Sequence, residues 1–130
     1  MIKWPIEYTD YNGDPQKEDF YFNLNKAEVM ELNLNHNGAY GEYLQQIVGS
    51  RDGEKIGQEF KKLILRAYGE KSPDGRRFVK SKELSEAFEQ SEAFVELYMQ
   101  LAFDGDAAAK FVNGIMPKTE GLAPVPADKR

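Results

Sequence analysis

The strongest chemical feature of the sequence is a run of basic residues in its middle. Eight lysines and arginines lie between Lys61 and Lys82, against two acidic residues, Glu70 and Asp74. This segment has a net charge of +6; because the whole chain carries −5, the rest of it carries −11. Clustered lysines and arginines can bind carboxylates or phosphates, and the planar guanidinium group of arginine binds either through two hydrogen bonds. The candidate contact residues are Lys62, Arg66, Lys71, Arg76, Arg77 and Lys80.

Two interpretations of the basic segment, residues 61–82, stay open at the level of sequence. The segment could dock on an acidic partner or on a phosphate backbone. Alternatively, its charges could pair with the acidic residues of the same chain, where exposed ion pairs contribute little energy. The negative net charge of the chain argues against a general nucleic-acid binder. Tyr68 and Phe78 lie among the basic residues, but two aromatic residues are few for a base-stacking surface.

A second candidate site is the polar turn near the N-terminus. Asp10, Asn12 and Asp14 match the first three ligand positions of a calcium-binding loop. However, Pro15 occupies the position where that loop needs glycine, and Tyr21 the position where it needs glutamate. The Asn-Gly turn of a β-hairpin explains the same residues, so we predict a turn here and no metal site.

Residues suited to catalysis are scarce. The chain has no cysteine and one histidine, His36, which we expect to be an exposed loop residue. A histidine pair, a zinc site or a catalytic triad therefore cannot be built. The glycines from Gly69 to Arg77 do not match a phosphate-binding loop, because that loop follows a strand and ends in Gly-Lys-Ser/Thr before a helix. We predict a protein that is not an enzyme and binds no cofactor.

The first 22 residues predict a β-hairpin, residues 2–22. Apolar side chains alternate with others from Ile2 to Tyr8, as in a half-buried strand. Pro5 cannot donate a hydrogen bond, so this strand should lie at the edge of a sheet. Asn12-Gly13 predicts the turn. Residues from Lys17 to Phe22 form the second predicted strand.

A compact cluster of about five α-helices is predicted between residues 26 and 116. The central helix, ending near Tyr68, repeats its apolar residues at three- and four-residue steps, which gives it one buried face. A second helix is predicted over about 39–48, ended by Gly49, and the last over 107–115. The basic segment forms a turn after the central helix, with a brief extended stretch over 76–80. The predicted helix caps are Asn25, Asp52 or Ser50, Ser81 and Ser91.

These elements indicate an α+β fold in which the hairpin packs on the helices. Residues 1–117 should form one domain, because domains of this length are common. Residues 118–130 contain two prolines and few apolar side chains, so we predict a flexible C-terminal tail. The N-terminus has no long apolar run, and nowhere do about 18 apolar residues stand together, so we expect neither a signal peptide nor a membrane anchor.

Several segments resemble the tail assembly chaperones of long-tailed bacteriophages. These are Asp19–Leu24, Phe60–Phe78, Phe94–Leu101 and Ala107–Ile115, and the similarity spans residues 2–117. The resemblance implies a non-enzymatic protein in the host bacterial cytoplasm that binds the tape-measure protein, tail-tube subunits or both during tail morphogenesis. It is also compatible with a homo-oligomer, and it transfers no catalytic residue. The alternative is a phage interaction protein that uses the basic segment, residues 61–82, to bind an acidic host protein or nucleic acid.

A chaperone of this type needs apolar surface that can exchange partners. Large side chains beyond what short elements must bury are Tyr40, Tyr43, Phe88, Phe94, Tyr98 and Met99. We expect most of these six to lie in the core, and the contact residues of the family do not transfer to particular positions.

Overall fold

The computed structural model describes residues 1–117; the tail predicted over residues 118–130 lies outside the described residues. The fold is α+β, with an N-terminal β-hairpin followed by helices and two small strands, as the sequence predicts. In chain order the elements are β1 (Ile2–Thr9), β2 (Pro15–Phe22), α1 (Lys26–Asn35), α2 (Tyr40–Ser50), α3 (Gly53–Ala67), β3 (Tyr68–Lys71), β4 (Phe78–Val79), α4 (Lys82–Glu89), α5 (Glu92–Phe103) and α6 (Gly105–Ile115). The described residues thus contain six helices, where about five were predicted. Ser91, one of the predicted caps, begins α5 as a separate helix.

The four strands form one antiparallel sheet in the order β1-β2-β3-β4. β1 pairs with β2 along its whole length, from Ile2 opposite Phe22 to Thr9 opposite Pro15. β1 is therefore an edge strand, which confirms the prediction based on Pro5. β2 begins two residues before the predicted Lys17, because the ladder continues up to the turn.

The basic segment contains a second, short hairpin where the sequence predicted mainly a turn. β3 pairs with β4, and the N–H of Ser72 donates to the carbonyl of Arg77 at 2.9 Å to close the connection. β4 confirms the predicted extended stretch. β3 is not predicted from the sequence, because its four residues, Tyr-Gly-Glu-Lys, show no apolar alternation. By pairing with β2, it joins the basic segment to the N-terminal hairpin.

Polar caps begin five of the helices as their sequences suggest. Asn25 and Glu28 form the predicted capping box of α1. Asp52, rather than Ser50, caps α3. The prediction that Gly49 ends α2 is wrong: the helix continues to Ser50, and Arg51 then adopts a left-handed conformation with φ of 58°. The N-cap residues with side-chain hydrogen bonds are Asn25, Asp52, Ser81, Ser91 and Asp104.

The core lies between one face of the sheet and the helices α3 to α6. Phe22 and Leu24, at the end of β2, are fully buried. The Phe22 ring contacts the rings of Phe88 and Phe111 at centroid distances of 5.8 and 5.2 Å. Backbone hydrogen bonds connect the same segment to two helix ends: the N–H of Asn23 donates to the carbonyl of Ala67 in α3, and that of Leu24 to the carbonyl of Ile115 in α6, both at 2.9 Å. The residues after β2 therefore join the sheet to the helices.

The close packing of the second hairpin can be tested at Gly69. A Cβ atom at this position would lie 2.6 Å from Cε2 of Phe78 and 2.7 Å from the carbonyl oxygen of Val79. Because the backbone oxygen cannot easily move, Gly69→Ala should lower the free energy of unfolding by about 1–3 kcal/mol in urea denaturation. The control is Gly53→Ala, whose Cβ would meet nothing within 4 Å. Equal stability of the two variants would contradict the packing of β3 against β4.

Candidate functional site

The six candidate basic residues do not form one continuous set of free charges. One group pairs with carboxylates of the same chain, and these residues are Lys62, Arg66 and Lys80. The other group is exposed in the β3–β4 hairpin, and these residues are Lys71, Arg76 and Arg77. The docking role that the sequence suggests for the basic segment stays a prediction. Three of its six candidate residues form ion pairs within the chain.

Lys80 has the most enclosed position of the six. Its Nζ donates to the carbonyl oxygen of Asn23 at 2.7 Å and to the two carboxylate oxygens of Glu28 at 2.8 and 2.7 Å. Only 23% of the Lys80 side chain and 18% of the Glu28 side chain are exposed. Burial lowers the pKa of Lys80, and the neighbouring Glu28 carboxylate acts in the opposite direction. Lys80 therefore connects the end of the second hairpin to α1.

Arg66 and Lys62 extend this pattern along α3. The guanidinium group of Arg66 lies 3.2 Å from the carboxylate of Glu31 on α1. Nζ of Lys62 lies 3.9 Å from the carboxylate of Glu59, one turn earlier on the same helix. Within residues 1–117, the carboxylates of Glu28 and Glu31 thus place two basic side chains of the segment against α1.

The exposed basic residues lie on and beside the turn of the second hairpin. Nζ of Lys71 lies 5.1 Å above the ring of Tyr21, at cation–π distance. In the described part of the chain, no carboxylate lies within 4.0 Å of the side-chain nitrogens of Lys71, Arg76 or Arg77. The three side chains remain available for an acidic partner.

The polar turn between β1 and β2 has the structure of a hairpin connection. One carboxylate oxygen of Asp10 accepts the N–H groups of Asn12 and Asp14, each at 2.9 Å. The other accepts from the Gln16 side chain. Hydrogen bonds, led by the one from Asp14, lower the pKa of Asp10. Among residues 1–117, no group of three or more His, Cys, Asp or Glu side chains is arranged to hold a metal ion.

An apolar groove of about 710 Å³ lies between α2 and α6. α1 contributes Val29 and Asn33 to its lining, and Phe60 of α3 reaches it from the core. The lining residues of α2 are Tyr40, Gly41, Leu44, Gln45, Val48 and Gly49. Those of α6 are Gly105, Ala108, Ala109, Val112 and Asn113. Met116 and Pro117 complete the lining. Mostly apolar clefts of this volume with a few polar groups are typical ligand-binding sites.

Several apolar side chains are exposed, one of them in the groove and others close in sequence to its lining residues. Val48 lines it and is 45% exposed. Met30 and Leu34 follow the lining residues of α1 by one position each and are 64% and 74% exposed. Phe103, 80% exposed, precedes the α6 residues of the lining by two positions. The apolar surface available to a partner therefore includes side chains beyond the groove itself.

A buried carboxylate lies behind the α2 side of the groove. Glu59 of α3 is 6% exposed and accepts hydrogen bonds from the hydroxyl groups of Tyr40 at 2.9 Å and Tyr43 at 3.3 Å. Burial, together with the Glu59 carboxylate, raises the pKa of both tyrosines. His36 is half-buried, in contrast to the exposed loop residue that we predicted, because its ring stacks on that of Tyr43 at 4.0 Å.

Glu59 and the groove are not among the sites predicted from the sequence. Glu59 precedes Leu63 by one helical turn and adjoins Phe60, so it is a charged residue on the buried side of an amphipathic helix. A charged residue on the apolar face of a predicted helix is the sequence signal by which Glu59 could have been found. Of the six large side chains considered as partner contacts, Tyr40, Phe88 and Phe94 are buried, whereas Met99 is 48% exposed. The exposed Met30, Leu34 and Phe103 carry no signal in the sequence, because their exposure depends on how helices pack.

The groove is suited to an apolar ligand, such as one face of a helix. None of the helices in the described part has the length and apolar character needed to cross a membrane.

Comparison with known proteins identifies the family. Residues 1–120 match the family described as phage tail assembly chaperone. Because this match covers nearly all of the 130 residues, the chain belongs to the phage tail assembly chaperone family. The resemblance drawn from the sequence is thereby confirmed. No curated protein and no solved structure matches the chain with significance.

The structural role of Lys80 can be separated from a docking role by measuring stability. Lys80→Met removes the ammonium group and leaves Glu28 without its partner, so it should lower the free energy of unfolding by about 1–2 kcal/mol. Arg76→Met, at an exposed position of the same hairpin, should change it by less than about 0.5 kcal/mol. Thermal and urea denaturation measure both. If Lys80→Met is as stable as Arg76→Met, the contact with Glu28 does not support the fold.

Proposed function

We propose that this chaperone acts without catalysis, by binding the tape-measure protein, tail-tube subunits or both in the cytoplasm of the infected bacterium. We further propose that the apolar groove between α2 and α6 is its main contact surface. The observation that carries this proposal is the groove, in a chain that belongs to a tail assembly chaperone family. An amphipathic helix docks in such a groove through apolar residues on one of its faces.

The small residues of the groove support a helical partner. Gly41 on α2 and Gly105 at the start of α6 have nothing within 4 Å of a Cβ position, so there is open space above them. Ala109 on α6 is also small and exposed. Small side chains allow another backbone to come close, while Leu44 and Val112 offer apolar contact. The groove can thus accept the ridge of a helix whose own side chains supply the bulk.

The charge of the chain supports the same function. The net charge is −5 in a sequence with 30% charged residues. A net charge away from zero helps to keep a protein soluble while an apolar surface is exposed. A complex with an apolar, helical partner would share this protection, and partner release would leave the chaperone soluble. Exposed apolar side chains bordered by charged residues are the combination that a holding chaperone requires.

Charge introduced into the groove should impair binding. Ala109→Glu and Val48→Glu each place a carboxylate where apolar side chains of the partner would be desolvated, so each should weaken binding about tenfold or more. The measurement uses the tape-measure protein of the same phage, co-expressed with the tagged chaperone, followed by affinity capture and titration of the purified complex. The tail-tube subunit is tested in parallel.

The matched control is Ala87→Glu, the same exchange at an exposed position in the middle of α4. It should bind both tail proteins as the wild type does. If the two groove variants bind as well as Ala87→Glu, the groove is not the contact surface.

The alternative function through the basic segment has its own test. The exposed group in the second hairpin favours it, because Arg76 and Arg77 lack a carboxylate partner within residues 1–117. For binding through the groove, Arg76→Glu with Arg77→Glu should leave capture of the tape-measure protein unchanged, with weak dependence on salt. Binding of nucleic acid or of an acidic host protein by the wild type, with an affinity that falls steeply as salt increases and is lost in this double variant, would instead support docking through the hairpin.

A further inference from the structure

Glu59 occupies a position where a hydrophobic residue would be expected to be more stabilising. It lies on the buried side of α3 beside Phe60, and only 6% of it is exposed. Removing a carboxylate from water costs several kcal/mol unless hydrogen bonds and nearby charges compensate. The nearest cation, Nζ of Lys62 at 3.9 Å, belongs to a side chain that is 76% exposed and therefore well solvated. The hydroxyl groups of Tyr40 and Tyr43 provide the direct compensation.

Both hydroxyl groups come from the beginning of α2. Tyr40 is the first residue of that helix, and Tyr43 follows it by three positions, so both rings lie on the side facing α3. The two carboxylate oxygens of Glu59 accept one hydroxyl each, at 2.9 Å and 3.3 Å. Because two separate bonds restrain both position and rotation, Glu59 fixes the first turn of α2 against α3.

The other contacts of α2 are a hydrogen bond from the N–H of Tyr40 to Oδ1 of Asn33 at 3.2 Å and a small number of apolar contacts with the core. The buried side chains of α2 are Tyr40 and Leu44, and α1, which precedes it, has no buried side chain at all. Asn37 and Gly38 before α2 have φ of 56° and 80°, and Arg51 after it has φ of 58°. Left-handed residues at both ends change the chain direction abruptly, and such positions are suited to act as hinges. The orientation of α2 therefore depends strongly on the bonds to Glu59.

We infer that Glu59 is a positioning residue for the groove, because it holds α2 where that helix forms one side of the contact surface. This inference rests on the proposed function. Tyr40 connects the two, since it is one of the residues that line the groove and its hydroxyl group donates to Glu59. A surface that is already in place before the partner arrives binds more tightly, because less conformational entropy is lost on binding.

The test combines hydrogen exchange with binding. Tyr43→Phe removes one bond to Glu59 and retains the ring, and Tyr43 does not line the groove. Glu59→Gln removes the charge and one acceptor oxygen. In both variants the amides of α2 should exchange faster, while those of α5 and α6 stay at wild-type rates. The dissociation constant for the tape-measure protein should rise about three- to tenfold.

Tyr8→Phe is the matched control. It removes another tyrosine hydroxyl that is bonded to a glutamate, Glu18, but between β1 and β2. Exchange in α2 and binding of the tape-measure protein should remain at wild-type values. A merely structural role of Glu59 would predict that binding follows global stability, so the free energy of unfolding of each variant is measured in parallel.

Unchanged exchange of α2 in Tyr43→Phe, or unchanged or tighter binding despite faster exchange, would overturn the inference. If Glu59→Gln fails to fold, Tyr43→Phe decides alone, because it leaves the bond between Tyr40 and Glu59 in place. If the wild type binds no tape-measure protein, the proposed function fails in that form. The exchange measurement then decides by itself whether Glu59 positions α2.

Discussion

The structure depends on the short segment that leaves β2. Phe22 and Leu24 are fully buried, and the backbone between them bonds to the ends of two helices: the N–H of Asn23 donates to Ala67 and that of Leu24 to Ile115, both at 2.9 Å. These bonds satisfy carbonyl groups at the ends of α3 and α6, which would otherwise lack partners in the interior. The sheet, the central helix and the last helix are therefore fixed relative to one another at one point.

The two sides of the molecule are built differently. On the side of the sheet, rings pack densely: Tyr68 stacks on Phe88 at 4.3 Å, and Trp4 meets Phe111 edge to face at 5.5 Å. On the other side, α1 and α2 together bury only Tyr40 and Leu44. Dense packing leaves no room for a partner, so the thinly packed side is where the groove can exist.

Features that depend on residues close together in the sequence could be predicted, whereas features that depend on residues far apart in the sequence could not. The edge strand of Pro5, the capping box of Asn25 and the cap of α3 at Asp52 depend on neighbours within a few residues, and they are found as expected. β3 depends on its pairing with β2, more than 40 positions earlier, and periodicity does not report such a partner. The groove and the bonds to Glu59 arise from helix packing, so only the misplaced charge of Glu59 was visible in advance.

The distribution of charge has a structural consequence that composition alone does not show. α1 and α2 are attached to the body of the protein at three polar points: Glu28 to Lys80, Glu31 to Arg66, and the two tyrosines of α2 to Glu59. Polar attachment specifies a geometry while covering little apolar surface, and it adds to the apolar contacts that Val29, Leu32 and Tyr43 make with the core. Part of the basic segment is therefore used to hold α1. Within residues 1–117, the basic side chains of the segment without a carboxylate partner are Lys71, Arg76 and Arg77, so the unpaired charge of the segment lies in the second hairpin.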